Sequence, residues 1–265
     1  MRIPIENIQT RFFDNIYKQT VERANITVPF DNLDYGRKIL ENEEECQRYI
    51  ALYGGHHFHK LWLAFNSTNF GYLNQKNIEI IDWGCGQAVA TCILIDYLIE
   101  NEIETNVVKI TLIEPSEVAT KKGKELIAQM FQGNESVTDI ISVVNKKIDE
   151  LTPEDFETQD DSIKIHLFSN IIDVEVFDVK SFYELILIIF KGLNRMICTS
   201  PKNSPTRTAR LDYFYKLFSD THIVNLPFCS DDDINGEVFV VRSGNYENYI
   251  IKRYERQFTV DLPPF

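Results

Sequence analysis

An acidic residue followed by two closely spaced glycines marks the segment of this chain that is best suited to bind a ligand. Asp82, Gly84, Cys85 and Gly86 follow directly on an apolar run, residues 78–81. Glycine allows the backbone to approach a ligand closely, and the first N–H groups of a helix after such a turn have no intrahelical partner. The pattern therefore predicts a site for a small polar cofactor, with Cys85 as a spacer in the turn.

A second acidic residue follows the next predicted strand. Residues 107–113 predict a β-strand, and Glu114, Pro115 and Ser116 come directly after it. A carboxylate at the carboxyl edge of this strand can accept hydrogen bonds from both hydroxyls of a ribose, as in dinucleotide-binding folds. Glu114 also suits a helix cap, but Ser116 is the better N-cap for a helix over 117–131. We therefore expect Glu114 to bind a ribose.

The two turns together resemble motifs of the class I S-adenosylmethionine (SAM)-dependent methyltransferases. The segment from Asp82 to Ala88 is similar to the first motif, with Ala88 at its third small position, and Glu114 to Ser116 is similar to the second. The resemblance implies SAM as cofactor, with its methionine portion over the glycine turn, Asp82 beside it and Pro115 in contact with it. Dinucleotide-binding folds and ordinary tight turns also contain such glycines, so both alternatives stay open.

The segment after the third predicted strand, residues 138–145, departs from the family. Many of these methyltransferases place an acid there that contacts the adenine amino group, whereas the aligned residue in this chain is Lys147. Asp149 is one substitute, although an acid at this position also suits a surface loop. Backbone groups near Ile148 offer the other way to contact an adenine.

The loop after the fourth predicted strand, residues 163–168, is expected to face the substrate, because ligands bind outside the carboxyl ends of parallel strands. Ser169 and Asn170 resemble a variant of the family's fourth motif found in small-molecule and protein methyltransferases, and not the signature of nucleobase-amine methyltransferases. We expect Ser169 to contact the cofactor. Asn170 and Asp173 are the candidate catalytic residues, because each can position a nucleophile or accept a proton, although each also suits a helix cap.

Residues 1–76 predict a helical N-terminal extension, and residues 77–265 a Rossmann-like methyltransferase domain. Three histidines, His56, His57 and His59, follow a double glycine, but no Cys, Asp or Glu lies nearby at a zinc-site spacing, so no metal is expected. If a helix begins near His56, then His57 points away from the face that His56 and His59 share. Helical segments before the first strand often cover the cofactor in the family that the chain resembles. Tyr53, His56 and His57 are therefore candidate lid residues.

The predicted elements give an α/β fold. We expect a mostly parallel, doubly wound sheet of the Rossmann-like methyltransferase type, with an antiparallel C-terminal edge and the helical N-terminal extension. Strands alternate with helices up to about residue 200, whereas the strand candidates at 222–226, 237–241 and 248–254 have no helices between them. Consecutive strands joined by turns pair antiparallel, whereas a dinucleotide fold would more often continue with βα units.

Charge and composition exclude several classes of protein. The formal net charge of −13 argues against general nucleic-acid binding, which depends on clustered Lys and Arg. No apolar run reaches membrane-spanning length, and the five cysteines are scattered and lack a C-x-x-C pair. The start of the chain has no secretory-signal pattern. These features predict a cytoplasmic protein with reduced thiols.

The leading functional prediction is a SAM-dependent methyltransferase that acts on a small molecule or a protein. A second hypothesis is a scaffold of the same fold that binds cofactor or substrate without transfer, since no base is evident and Lys147 replaces the expected acid. An NAD(P)-dependent oxidoreductase is the third. The sequence leaves the oligomeric state open.

Overall fold

An eight-stranded sheet with helices on both faces forms the centre of the protein. The computed structural model describes residues 3–5, 8, 10–25, 33–34, 36–131, 135–159, 161–174 and 176–263. The helices are α1 (Lys18–Arg23), α2 (Glu43–Asn66), α3 (Val89–Glu100), α4 (Glu117–Met130), α5 (Val179–Ile189) and α6 (Pro205–Ser219). The strands are β1 (Ile3–Pro4), β2 (Asn77–Trp83), β3 (Asn106–Ile113), β4 (Ile141–Val144), β5 (Ile163–Ser169), β6 (Gly192–Ser200), β7 (Val224–Ser230), β8 (Ile234–Val240), β9 (Asn245–Ile251) and β10 (Tyr254–Leu262).

The strand order confirms the predicted fold class. Parallel strands lie in the order β4, β3, β2, β5 and β6, and antiparallel β10 then pairs with both β6 and β7. Short β1 pairs antiparallel with the start of β3, and β8 and β9 form a separate antiparallel hairpin. A parallel βα series closed by antiparallel strands is the arrangement that the methyltransferase resemblance implies. The chain moves outward from β2 to β3 and β4 and then returns to the other side of β2, so the order reverses between β2 and β5.

Each face of the sheet carries an apolar core. Because side chains alternate along a strand, Ile78 and Ile80 of β2 belong to one core, whereas Ile81 and Trp83 belong to the other. Helices α2, α3 and α4 contribute to the first core and α5 and α6 to the second. Strand β2 is buried on both faces, so packing against both cores holds the strand and the turn that follows it in place.

Helix α2 is longer than the sequence predicted. Asn42 caps it, accepting a hydrogen bond from the backbone N–H of Glu45, so the helix does not begin near His56. It continues without a break through Gly54 and Gly55. These two glycines leave room for the side chain of Tyr17. A Cβ at Gly54 would lie 2.9 Å from the Tyr17 ring, and one at Gly55 would lie 2.8 Å from its hydroxyl oxygen. The double glycine therefore marks a close helix contact inside α2.

Strand β10 was missed because its pattern is polar. The predicted strand at 248–254 ends where β10 begins, and β10 carries Glu255 and Gln257, which are both fully buried. Their partners are also in the core: Arg195 donates to Gln257 Oε1 at 2.6 Å, and Arg253 pairs with Glu255 at 3.2 Å. A buried polar network thus replaces the apolar alternation that would have indicated a strand.

The extension predicted over residues 1–76 packs closely on the sheet domain. Helix α2 contacts α3 and the β8–β9 hairpin. Elsewhere in the chain, the third predicted strand begins at Ile141 rather than at residue 138, after a 3-10 turn. The boundary between residues 76 and 77 stays a prediction. Within the described residues, no helix is both long and apolar enough to cross a membrane.

Candidate functional site

A cavity of about 800 Å³ opens where the parallel strands of the sheet end. Loops after all five parallel strands line it, together with residues of α2 and of the segment before α2. Ten of the predicted site residues lie on its wall: Tyr53, His57, Gly84, Gly86, Glu114, Pro115, Ile148, Ser169, Asn170 and Asp173. The cavity lies at the reversal of strand order, which is where open α/β sheets bind ligands.

The two glycines of the turn after β2 are required for different reasons. Both have left-handed backbones, with φ of +60° at Gly84 and +50° at Gly86. A Cβ at Gly84 would lie 2.7 Å from the side chain of Ile171, so Gly84 is needed for packing. A Cβ at Gly86 would meet no atom within 4 Å, because Gly86 lines the cavity. The space above Gly86 is therefore left open for a ligand.

Asp82 and Cys85, the other two predicted residues, are buried and do not line the cavity. The Asp82 carboxylate accepts hydrogen bonds from the backbone N–H and the hydroxyl of Thr91, at 3.2 and 2.8 Å, and so fixes the first turn of α3. Cys85 donates its backbone N–H to Ile113 O at 3.0 Å. Burial raises the pKa of the Cys85 thiol well above its usual value, as expected for a spacer rather than a nucleophile.

Replacement of Asp82 by Asn is expected to remove part of the pH dependence of stability. Burial raises the pKa of Asp82 to about 7, with the hydrogen bonds from Thr91 opposing the shift. The folded protein therefore holds a proton that the unfolded chain has already lost between about pH 4 and pH 7. The stabilising contribution is complete below about pH 4 and is lost as the pH rises through about 7.

Urea unfolding of the wild type and Asp82→Asn across this range measures the effect. Asn keeps an acceptor oxygen for Thr91 and does not titrate. The free energy of unfolding of the wild type should fall relative to that of the variant as the pH rises. Parallel pH profiles would contradict the raised pKa.

Glu114 connects the end of β3 to the glycine turn. Its Oε2 accepts the backbone N–H of Gly86 at 3.3 Å, and its Oε1 accepts that of Ser116 at 3.1 Å. Ser116 caps α4 through the N–H of Ala119, as predicted. Burial raises the pKa of Glu114, whereas the two backbone hydrogen bonds oppose that shift. Each oxygen keeps a lone pair, so the carboxylate can still accept two hydroxyl groups at the cavity wall.

The loop after β4 provides a mixed polar and apolar wall. Half-buried Ile148 and buried Ile113 line the cavity, and so do the exposed Lys147 and Asp149. Lys146 also lines the cavity, and its ammonium group pairs with Asp155 at 2.6 Å. Apolar side chains next to backbone amide groups suit a flat heterocycle. Contact of the segment near Ile148 with an adenine stays a prediction.

Four polar side chains form a connected network beside the end of β5, here called the β5 network: His57, Lys60, Ser169 and Asn170. His57 Nδ1 lies 2.8 Å from Ser169 Oγ, and Lys60 Nζ donates to Asn170 Oδ1 at 2.6 Å. Asn170 Nδ2 lies 3.4 Å from His57 Nε2, which closes the chain of contacts. Asn170 also has a left-handed backbone, with φ of +59°, a conformation that Asn adopts more readily than most residues. The network ties α2 to the loop that is expected to face the substrate.

Burial shifts the pKa values of the groups in and around this network. It lowers the pKa of His57 well below its usual value, and the nearby Lys60 lowers it further. It lowers the pKa of Lys60 to about 8, against the attraction of Asp173. It raises the pKa of Asp173, against the same attraction. At neutral pH the network thus contains a neutral imidazole next to a buried ammonium group.

The helix-cap alternative for Asn170 and Asp173 is wrong, because Asp178 caps α5 by accepting the N–H of Ser181. Asp173 lines the cavity, and within the described part of the chain its buried Oδ1 has no hydrogen-bond partner. A buried acceptor without a donor is costly, so the geometry is suited to a donor group of a ligand. Arg210 holds the loop in place by donating to Ile172 O and Phe177 O, at 2.8 Å each.

Of the three histidines, only His57 faces the cavity. His56 packs edge-on against Tyr249, with ring centroids 5.3 Å apart, and His59 Nε2 lies 2.9 Å from Glu237 O. His56 is therefore not a lid residue. The imidazoles point to three different partners, and the described residues contain no group of three or more His, Cys, Asp or Glu side chains able to hold a metal ion.

Sequence reasoning missed two residues that α2 contributes to this region. Tyr49 lines the cavity, and Lys60 anchors Asn170. A signal for both was present, because residues 49, 53, 57 and 60 are spaced four, four and three apart and so share one face of a continuous helix. This shared face is not evident if the helix is expected to begin after the double glycine.

Solved structures with a similar backbone include several methyltransferases. A SAM-dependent O-methyltransferase from Thermotoga maritima is 10% identical, over 89% of this chain and 71% of that one, with a TM-score of 0.46. A SAM-dependent methyltransferase from Aquifex aeolicus is 8% identical, over 83% and 100%, with a TM-score of 0.45. The plantazolicin methyltransferase, solved with a monoazolic desmethylPZN analog and S-adenosylhomocysteine (SAH), is 9% identical, over 92% and 97%, with a TM-score of 0.46. No protein-family model matches the sequence, and no curated protein sequence matches it.

Proposed function

We propose that the protein is a SAM-dependent methyltransferase that transfers a methyl group to a small-molecule or protein acceptor. The observation that carries the proposal is the pairing of Gly86 and Glu114 at the cavity wall. The space above Gly86 is open, and the Glu114 carboxylate that accepts the Gly86 N–H has lone pairs left for two ribose hydroxyls. Gly86 follows β2, which borders the point where the strand order reverses, and Glu114 follows the neighbouring strand β3.

The residues of the cavity fit SAM along its length. Gly86 would lie under the methionine portion, Glu114 would bind the ribose, and Ile148 with its neighbouring amide groups would contact the adenine. Bound SAM supplies an activated methyl group on a sulfonium sulfur, so no metal is needed for the transfer. Ile148, Glu114 and Gly86 follow β4, β3 and β2 in that order, so the methionine portion would point toward β5.

The chain's own residues would then orient the acceptor. Ser169, Asn170 and Asp173 line the cavity on the β5 side of the glycine turn, where they offer both hydrogen-bond donors and acceptors. Tyr49 and Tyr53 of α2, with ring centroids 5.0 Å apart, line the same cavity and would exclude water from the acceptor. Positioning of the two reactants in this way is the main contribution that a protein can make to such a transfer.

Calorimetry separates the possible cofactors. The proposal predicts that SAM and SAH bind at one site per chain, and that NAD⁺ and NADP⁺ do not compete for it. Binding of a nicotinamide dinucleotide without binding of SAH would favour the oxidoreductase. No affinity for either sulfur compound would overturn the proposal.

A transfer assay separates an enzyme from a silent scaffold. Incubation with methyl-labelled SAM and an extract of cellular small molecules and proteins should move label into an acceptor with the wild-type protein. The binding-deficient Gly86→Val variant serves as the control. Binding of SAM with no transfer to any fraction would favour the scaffold.

A further inference from the structure

The directions of the hydrogen bonds in the β5 network follow from one buried cation. Lys60 is 3% exposed, and its ammonium group can only donate. The atom of Asn170 that lies 2.6 Å from Lys60 Nζ must therefore be an acceptor, which is Oδ1. The amide nitrogen Nδ2 then faces His57 at 3.4 Å. Lys60 thus fixes which way the amide of Asn170 points.

The orientation of this amide determines the tautomer of His57. Asn170 Nδ2 can only donate, and Tyr49 Oη, also 3.4 Å from His57 Nε2, can donate, so these contacts favour Nε2 as the unprotonated, accepting nitrogen. The proton of the neutral imidazole is then on Nδ1, which donates to Ser169 Oγ at 2.8 Å. Burial and the adjacent Lys60 lower the pKa of His57 well below its usual value, so the ring is neutral at pH 7.

We propose that His57 Nε2 is the proton-accepting atom of the site and that Lys60 holds it in that state through Asn170. The inference rests on the proposed methyl transfer and deepens it by naming the acceptor class, a nucleophile with an O–H bond. His57 lines the cavity, and the contacts of Nε2 with Asn170 Nδ2 and Tyr49 Oη are both long, at 3.4 Å. An incoming O–H group can therefore replace them.

The proposed methyl transfer balances in atoms and electrons with the groups that the site and the cofactor supply. The acceptor oxygen uses its lone pair to bond to the methyl carbon, and the electron pair of the broken carbon–sulfur bond stays on the sulfur. The oxygen becomes positively charged as the new bond forms, so its proton becomes strongly acidic. That proton moves to Nε2, and the electron pair of the O–H bond stays on the oxygen.

A base with a low pKa is sufficient to accept the strongly acidic proton of the methylated acceptor. The charged or titratable groups that act on His57 are Lys60 and His56 on its own helix, and both disfavour the imidazolium. Asp173, from the loop after β5, is attracted to Lys60. His57 therefore stays neutral until the acceptor becomes acidic. Lys60 acts only through Asn170 and His57, so it is a positioning residue, and Asn170 positions His57 in addition to lining the cavity.

Nitrogen NMR of the ¹⁵N-histidine-labelled protein with SAH measures the tautomer directly. The His57 signal is assigned by its loss in His57→Gln. At pH 7 the wild-type spectrum should show a neutral ring with the proton on Nδ1. A ring protonated on Nε2 alone, or on both nitrogens, would overturn the inference.

Two variants test the positioning roles. Asn170→Asp presents only acceptor oxygens to His57, so the proton should move to Nε2, and Asp tolerates the left-handed backbone. Lys60→Met removes the ammonium group at similar length, so the Nδ1–H tautomer should lose its predominance. Retention of the wild-type tautomer in both variants would exclude the role of Lys60 and Asn170.

SAH calorimetry on the same samples keeps the two proposals separate. Binding of SAH together with the wrong wild-type tautomer would overturn the role of His57 and leave the proposed function intact. Failure of the wild type to bind SAH would overturn the proposed function itself.

Discussion

Gly86→Val should abolish the binding of SAM and SAH while the protein stays folded. The new side chain would enter the open space above the turn, where no protein atom lies within 4 Å of a Cβ, and would occupy the volume assigned to the cofactor. The left-handed backbone at this position, with φ of +50°, adds a strain of about 1–2 kcal/mol for a residue with a side chain. Calorimetry measures the binding and thermal unfolding measures the strain.

Gly244→Val is the matched control. Gly244 lies between β8 and β9, has φ of +68°, and has no atom within 4 Å of a Cβ, but it does not line the cavity. Its substitution should cost similar stability and leave the binding of SAH unchanged. Normal SAH binding by folded Gly86→Val would show that the cofactor site is not at this turn.

Glu114→Gln should weaken the binding of SAH by at least roughly tenfold. The substitution keeps the shape but removes the charge and replaces one acceptor oxygen with a donor. Charge-assisted hydrogen bonds contribute about 1.5–3 kcal/mol each, so the loss of one or two gives this reduction in affinity. The melting temperature should also fall, because the same carboxylate accepts the N–H groups of Gly86 and Ser116.

A comparison of two nucleosides separates ribose binding from support of the turn. Wild type should bind adenosine more tightly than 2′,3′-dideoxyadenosine, and Glu114→Gln should lose that preference. Glu117→Gln, an exposed acid in the first turn of α4, is the control and should keep it. A lowered melting temperature with unchanged affinity for SAH would leave Glu114 only a structural role.

Local patterns predicted the part of the site that the sheet builds. The apolar run before Asp82 and the strand before Glu114 are buried strands, and neighbouring parallel strands bring their carboxyl ends together. The glycine turn, the ribose candidate and the Ser169–Asn170 loop therefore meet on one cavity, as expected. The cap at Ser116 was also predicted, because its side chain and position are sufficient to define it.

Long-range contacts explain what the sequence could not reveal. The role of the double glycine depends on Tyr17, which lies more than thirty residues away in the chain and packs against α2. Lys60 gains its role only when α2 meets the loop after β5, at Asn170. Likewise, β10 is recognisable as a strand only once Arg195 supplies a partner for Gln257. In each case a tertiary contact determines the role of a local pattern.

A crystal structure of the protein with SAH tests the central claim most directly. We expect the ribose hydroxyls within about 2.6–3.2 Å of the Glu114 carboxylate, and the amino-acid portion over Gly86. The sulfur should point toward Ser169 and Asn170. SAH bound outside this cavity, or bound within it with its ribose turned away from Glu114, would contradict the proposed site.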